Sequence, residues 1–245
     1  MLNERIQQLS AKAKDLGPAQ VLDLVFREFG PQVAFATSLG EEDQVLTDMI
    51  ARHAPGIEVF TLDTGRLFAE TYELLAKNQK KYPQLTLKVY YPDTKAVEEM
   101  VESKGINLFY ESVENRKLCC GVRKVEPLRR ALAGKVAWIT GLRRSQSLTR
   151  SDAQVFEWDE ANGKIKINPL IDWSLERVRA YVKEHRVDVS PLHTQGFISI
   201  GCQPCTRAIK PGEDIRAGRW WWEQPESKEC GLHNNPKWTK NRDKG

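Results

Sequence analysis

Residues 33–50 read VAFATSLGEEDQVLTDMI and place a strand, a polar loop and a helix in succession. The first five residues are apolar or small, which is typical of a parallel strand buried on both faces. The loop SLGEED follows, and apolar residues then recur at the helical spacing of positions 45, 46, 49 and 50. A strand that passes through a tight loop into a helix is the building unit of α/β sheets.

The same unit recurs through the first 145 residues. Further strands are predicted at 57–62, 85–90 and 136–140, with helices between them, one of which Pro127 kinks or restarts. This alternation predicts a doubly wound, mostly parallel α/β sheet. Residues 155–168 read as a hairpin around Asn162-Gly163. We expect one α/β domain over residues 1–222, ending in a loop-rich segment, and a mobile polar C-terminal tail over 223–245.

Composition narrows the class of protein. Of the 245 residues, 40% are hydrophobic and 29% charged, which suits a globular domain with a buried core. The net charge of +4 is mild, and no basic run is interleaved with aromatics, so nucleic acid is not an expected partner. The polar N-terminus is unlike a signal peptide, and no apolar run is long enough to cross a membrane. We therefore expect a cytoplasmic protein that binds no membrane.

Five cysteines divide into two close pairs and a single residue. The pairs are Cys119-Cys120 and Cys202-Gln203-Pro204-Cys205, and an odd total argues against a disulfide framework. Adjacent residues on a helix point roughly 100° apart, so both thiolates would reach one small ion only with strain. The pairs therefore favour an iron–sulfur cluster over zinc, with apolar buried cysteines as a third possibility.

Cys230 stands alone in the polar tail, beside Gly231 and close to His233. A thiol in such a segment is expected to be accessible, as a nucleophile must be. An incidental exposed cysteine and a solvated histidine remain the alternative.

Three loops follow predicted strands, where ligands bind in open α/β sheets. They read SLGEED at 38–43, LDTGR at 62–66 and GLRRS at 141–145, and none is a Walker A loop. Helix N-termini and arginines hold phosphate or sulfate, whereas the acids of the first loop suit a helix's first turn or accept hydroxyls. Ordinary turns are the alternative to a nucleotide-like anion site, whose expected residues are Ser38, Gly40, Glu41, Asp43, Leu62, Asp63, Thr64, Gly65, Arg66, Arg143 and Arg144.

Taken with 119-CCGVRK-124, the Cys202/Cys205 pair and 229-ECGLH-233, these loops resemble those of the assimilatory sulfonucleotide reductases. The motifs keep their order from about residue 20 to 235. The double cysteine resembles the adenylyl-sulfate (APS) reductase branch, which carries a [4Fe-4S] cluster. The resemblance implies an adenine nucleotide α-hydrolase-like fold, with Cys119, Cys120, Cys202 and Cys205 as cluster ligands. Glu41 stands where the family usually has a small residue.

The resemblance also implies a reaction. The Cys230 thiolate would attack the sulfur of APS, release AMP and form an S-sulfocysteine, from which thioredoxin would release sulfite. It implies catalytic roles for Lys124 and His233, sulfate contacts for Arg216 and Arg219, and a homodimer or homotetramer. A reductase that accepts both APS and phosphoadenylyl sulfate (PAPS), a zinc-stabilised nucleotide-binding module without catalysis, and ATP-dependent thiolation remain alternatives.

Overall fold

A sheet of six strands in the order β3-β2-β1-β4-β6-β5 forms the centre of the computed structural model, which describes residues 2–146 and 152–224. All neighbouring strands are parallel except β5, which pairs antiparallel with β6 as the hairpin predicted at 155–168. The doubly wound, mostly parallel sheet is therefore confirmed. The strands are β1 Val33–Thr37, β2 Glu58–Leu62, β3 Leu87–Tyr90, β4 Ala137–Ile139, β5 Phe156–Asp159 and β6 Lys164–Ile167.

Three of the described helices begin at a residue whose side chain caps the first turn. Asp93, Ser112 and Ser174 each accept a hydrogen bond from a backbone N–H of the helix that follows. The described helices are α1 Leu2–Lys12, α2 Pro18–Phe29, α3 Glu41–His53, α4 Ala69–Lys81, α5 Thr94–Lys104, α6 Val113–Cys120, α7 Glu126–Ala131 and α8 Leu175–Glu184. None of them is both long and apolar enough to span a membrane.

Both faces of the sheet are covered. On one face, Phe35 and Ile139 pack in the main core with residues of α2, α3 and α8. On the other face, Ala34 and Trp138 pack with Phe60 and with Leu128 of α7. Because neighbouring residues of β1 and β4 enter different cores, these strands read as continuous apolar runs, as buried parallel strands do.

A π-helical turn, Gly121–Val125, joins α6 to α7 directly after the two adjacent cysteines. Pro127 lies in the first turn of α7, so the restart expected there is confirmed. The sequence analysis does not predict this π turn. Such turns occur frequently at functional sites because they re-aim the side chains around them.

The described chain stays packed to its end. Glu223, which the sequence places in the tail, is buried and forms a two-contact ion pair with Arg116 of α6, with both N–O distances at 2.9 Å. Residues 225–245 lie outside the described part.

Candidate functional site

A cavity of about 270 Å³ lies at the carboxyl edge of the sheet, above the ends of β1, β2 and β4. Loops after the strands form one wall, and the stretch 198–219 forms the other. The structure brings together most of the residues predicted to bind an anionic nucleotide. Lining the cavity are Ser38, Gly40, Glu41, Asp43, Leu62, Thr64, Lys124, Arg143, Arg216 and Arg219.

Asp43 organises the loop between β1 and α3. Its Oδ2 accepts hydrogen bonds from the backbone N–H and the hydroxyl of Ser38, both at 2.6 Å. Burial raises the pKa of Asp43 to about 6, although the bonds from Ser38 oppose the shift. Gly141 faces this carboxylate so closely that a Cβ there would lie 2.1 Å from Oδ1. The fold of the loop therefore depends on Asp43 and on a glycine opposite it.

The acidic first turn of α3 is neutralised by arginines. Glu42 pairs with Arg143 at 2.7 Å, and Glu41 pairs with Arg179 of α8 at 3.2 Å. The acids are first-turn residues, as expected, and their pairing lets an anion approach the helix N-terminus. It also means that Arg143, predicted to bind an anion, is engaged by Glu42.

Asp63, Gly65, Arg66 and Arg144 are not among the lining residues, although the sequence predicts them at the same site. Asp63 accepts from the Gly65 N–H at 2.7 Å and from the Tyr72 hydroxyl at 2.9 Å, so it shapes its own loop.

The two predicted arginines among these residues also have protein partners. Arg66 donates to the Ile106 carbonyl and the Asn107 side chain. Arg144 pairs with Asp172 at 2.8 Å. Both arginines, which the sequence predicts to bind the ligand, are thus engaged by contacts within the protein.

The four paired cysteines lie around a second, smaller cavity of about 20 Å³. Cys119 and Cys120 come from the end of α6, and Cys202 and Cys205 from a short 3₁₀ turn. The meeting of pairs some 80 residues apart is as predicted. Lys124 and Arg219 line both cavities, so the cysteine site and the large cavity share two cations.

Local contacts fix the second cysteine pair. The Gln203 N–H donates to the Arg66 carbonyl at 2.8 Å, and the Trp220 N–H donates to the Cys205 carbonyl at 3.1 Å. The Thr64 hydroxyl lies 3.2 Å from Cys202 Sγ. Arg66 and Thr64, predicted for the substrate, thus also hold the cysteine loop in place.

Burial keeps the cysteine thiols protonated unless a positive group lies among them. Burial and the neighbouring Cys202 raise the pKa of Cys205 to about 12, and burial raises the pKa of Cys119. Four thiolates crowded here would need a positive group to balance them. Even so, the described residues include no group of three or more His, Cys, Asp or Glu side chains that could hold a metal ion.

Two buried N–H donors at this cavity have no hydrogen-bond acceptor among the described residues. Arg123 Nε and Trp220 Nε1 are closed off from water and find no hydrogen-bond partner among the described residues. Buried donors of this kind are costly unless an acceptor is supplied. An anionic group held by the cysteines could accept hydrogen bonds from such donors, so the residues present fit an iron–sulfur cluster.

Sequence reasoning missed several residues that build the two cavities. Arg116 lies four residues before Cys120, and Arg123 lies four residues after Cys119. This helical spacing could have identified both arginines. Arg179 and Trp220 reach the sites only through tertiary packing, and nothing local in the sequence indicates them. Cys230 and His233 lie outside the described residues, so their predicted roles stay predictions.

Comparison with known proteins identifies the family of this chain. Residues 32–208 match the phosphoadenosine phosphosulfate reductase domain. The chain is 53% identical over 220 residues to an adenosine 5′-phosphosulfate reductase of Allochromatium vinosum, covering 90% of this chain and 85% of that protein. It is 52% identical over 233 residues to one of Sinorhizobium fredii USDA 257, covering 93% and 92%.

Among solved structures, phosphoadenylyl-sulfate reductase from Candida auris, in complex with phosphate, superposes with a TM-score of 0.72 at 33% identity, covering 84% of this chain and 97% of that one. Candida glabrata FMN adenylyltransferase, with FAD and pyrophosphate bound, reaches 0.54 at 14% identity, covering 92% and 84%, and shares the fold alone. The adenine nucleotide α-hydrolase-like fold is thereby confirmed. The chain belongs to the phosphoadenosine phosphosulfate reductase family, within its adenosine 5′-phosphosulfate reductases.

Proposed function

We propose that this chain reduces APS to sulfite and AMP, with electrons from a thioredoxin-type dithiol. The observation that carries the proposal is the pair Lys124 and Arg219, which border both the large cavity and the cysteine site. Two cations at that boundary suit a phosphosulfate, because both of its ends are anionic. Arg216 lines the same cavity and adds a third.

The nucleotide would be held along the strand ends. The N-terminus of α3, with its first acids neutralised by Arg143 and Arg179, offers backbone N–H groups to an anion. Phe60, Leu62 and Trp138 give the cavity an apolar floor.

The reaction proceeds by two transfers. The Cys230 thiolate attacks the sulfate sulfur of APS, the sulfur–oxygen bond to AMP breaks, and Cys230 becomes an S-sulfocysteine. Lys124, Arg216 and Arg219 stabilise the charge that develops on the departing phosphate, and we assign His233 to assist at the same centre. One donor thiol then attacks Cys230 Sγ and releases sulfite. The second donor thiol frees Cys230 as the donor becomes a disulfide, so two electrons have passed to sulfur.

Cys119, Cys120, Cys202 and Cys205 would together hold a [4Fe-4S] cluster. The unpartnered donors on Arg123 and Trp220 support this assignment. When bound, such a cluster would supply structural support and an electrostatic link to Lys124. We place the protein in the cytoplasm, where thiols stay reduced, as a homodimer or homotetramer.

The test begins with anaerobic purification, followed by iron and sulfide analysis and parallel assays with APS and PAPS. PAPS belongs in the assay because a structural relative at 33% identity is named for it. We expect about four irons per chain and release of sulfite from APS. A colourless, zinc-loaded and fully active protein would refute the cluster.

Replacing the nucleophile tests the covalent step. Cys230→Ser should abolish sulfite release while iron content and visible colour persist, because Cys230 lies outside the four paired cysteines. Mass spectrometry of the parent protein after APS alone should show an added SO₃ on Cys230. Unchanged turnover in Cys230→Ser would remove the S-sulfocysteine route and favour a module without this catalysis.

A further inference from the structure

Gly201 lies in the loop that leads into Cys202 and lines the large cavity. Its φ is outside the left-handed region, so the backbone conformation alone does not require glycine there. The reason for a glycine must therefore be sought in what its missing side chain would touch.

The neighbour at that position is the guanidinium of Arg219. A Cβ on Gly201 would lie 2.4 Å from Arg219 Nη2 and 2.6 Å from Cζ, far inside van der Waals contact. Arg219 Nη1 donates to the Ile200 carbonyl at 3.2 Å, and the guanidinium lies 4.7 Å from the Trp220 ring centre. Arg219 thus rests directly on the Gly201 backbone.

The backbone around Gly201 has little freedom to relieve such a clash. The Gly201 N–H donates to the Thr206 hydroxyl at 3.1 Å, and that hydroxyl donates to the Cys202 carbonyl at 2.9 Å. Thr206 also pairs with Arg219 in an antiparallel bridge. The loop at Gly201 and the backbone of Arg219 are therefore fixed relative to each other. A methyl group on residue 201 would then displace the Arg219 side chain.

We propose that Gly201 is the positioning residue for Arg219: its missing side chain seats the guanidinium at the border of the two cavities, where it meets the anionic end of the substrate. The proposal rests on the proposed function in one respect, that the anion is the phosphosulfate of APS. It also makes the cysteine loop a part of the substrate site, because that loop provides the seat.

The test is a double-mutant cycle on holoprotein carrying Cys230→Ser, so that APS binds without turnover. The variants are Gly201→Ala, Arg219→Ala and both together, and calorimetry gives the Kd of APS. Gly201→Ala should raise Kd by about ten- to a hundredfold, as expected for a displaced charge-assisted contact. In the Arg219→Ala background it should add no further loss, because the residue it displaces is gone.

Iron content should match the parent in all three variants. Gly17→Ala is the control, since a Cβ there makes only an ordinary contact at 3.7 Å, and it should leave Kd unchanged. Unaltered affinity in Gly201→Ala, or losses that add in the double variant, would overturn the proposal. Wild-type protein that binds APS yet never forms sulfite would overturn the proposed function alone, whereas no binding of APS to the Cys230→Ser parent would overturn both.

Discussion

Asp43 stabilises the conformation of the loop between β1 and α3. It is buried at the start of α3, and its Oδ2 accepts two hydrogen bonds of 2.6 Å from Ser38. Leu39, between them, adopts a left-handed φ of 64°, which costs a residue with a Cβ about 1–2 kcal/mol. The loop therefore depends on the contacts of Asp43 to offset strain at the edge of the cavity.

The raised pKa of Asp43 gives stability a pH dependence of unusual sign. Burial lifts that pKa from 3.8 to about 6, so between these values the folded protein binds a proton that the unfolded chain has released. Stability should fall as pH rises from 4 to 6, by at most about 3 kcal/mol, and stay lower above that window. Anaerobic urea unfolding at several pH values measures the slope.

Asp43→Asn is the matched variant for that slope. This variant lacks the titrating group. The difference in unfolding free energy between wild type and Asp43→Asn should therefore change with pH only between about pH 4 and 6. Glu73→Gln, an exposed carboxyl on α4, serves as control and should keep the wild-type slope. Equal slopes in wild type and Asp43→Asn would show that Asp43 stays ionised throughout.

The helices and strands position the site more than single side-chain contacts do. The βα units and the hairpin could be predicted because their periodicity and turn residues are local properties of the chain. The proximity of the two cysteine pairs could be predicted because four thiols in two close pairs suit one shared metal site. The pairing of Glu41 with Arg179, 138 residues away, could not be predicted, because only tertiary packing brings α3 and α8 together. The protein partners of Arg66 and Arg144 could not be predicted for the same reason, and their roles toward a ligand stay predictions.

Helix α6 and its π turn aim Lys124 at the border of the two cavities. Lys124→Ala should lower kcat/KM for APS by about a hundredfold, as when one stabilising group is lost at a developing charge. Iron content should fall far less, because the four cysteines remain. Parallel kinetics and iron analysis measure the two effects.

Lys117→Ala is the control for that change. Lys117 is exposed on the same helix and lines neither cavity, so its removal should alter neither activity nor iron. Equal loss of turnover and iron in Lys124→Ala would make Lys124 a support of the cysteine site rather than a link to sulfate.

At the scale of the whole molecule, one buried ion pair joins the last described residues to the cysteine site. Glu223 is bound by Arg116, whose guanidinium lies 4.6 Å from the Trp220 ring centre and also interacts with Cys120. Glu223 precedes Cys230 by seven residues. The same pair therefore fixes both a cysteine of the proposed cluster and the point from which the C-terminal segment departs.

Breaking this pair should disturb stability and the cysteine site together. Glu223→Gln leaves the Arg116 charge buried without its carboxylate, a change that typically costs about 3–5 kcal/mol. We expect a lower Tm and faster release of iron to a chelator, because Arg116 then loses its fixed orientation beside Cys120. Glu213→Gln, which breaks a surface pair with Arg207, should change neither quantity. A lower Tm with unchanged iron release would separate the two, leaving the pair a support of the C-terminal segment alone.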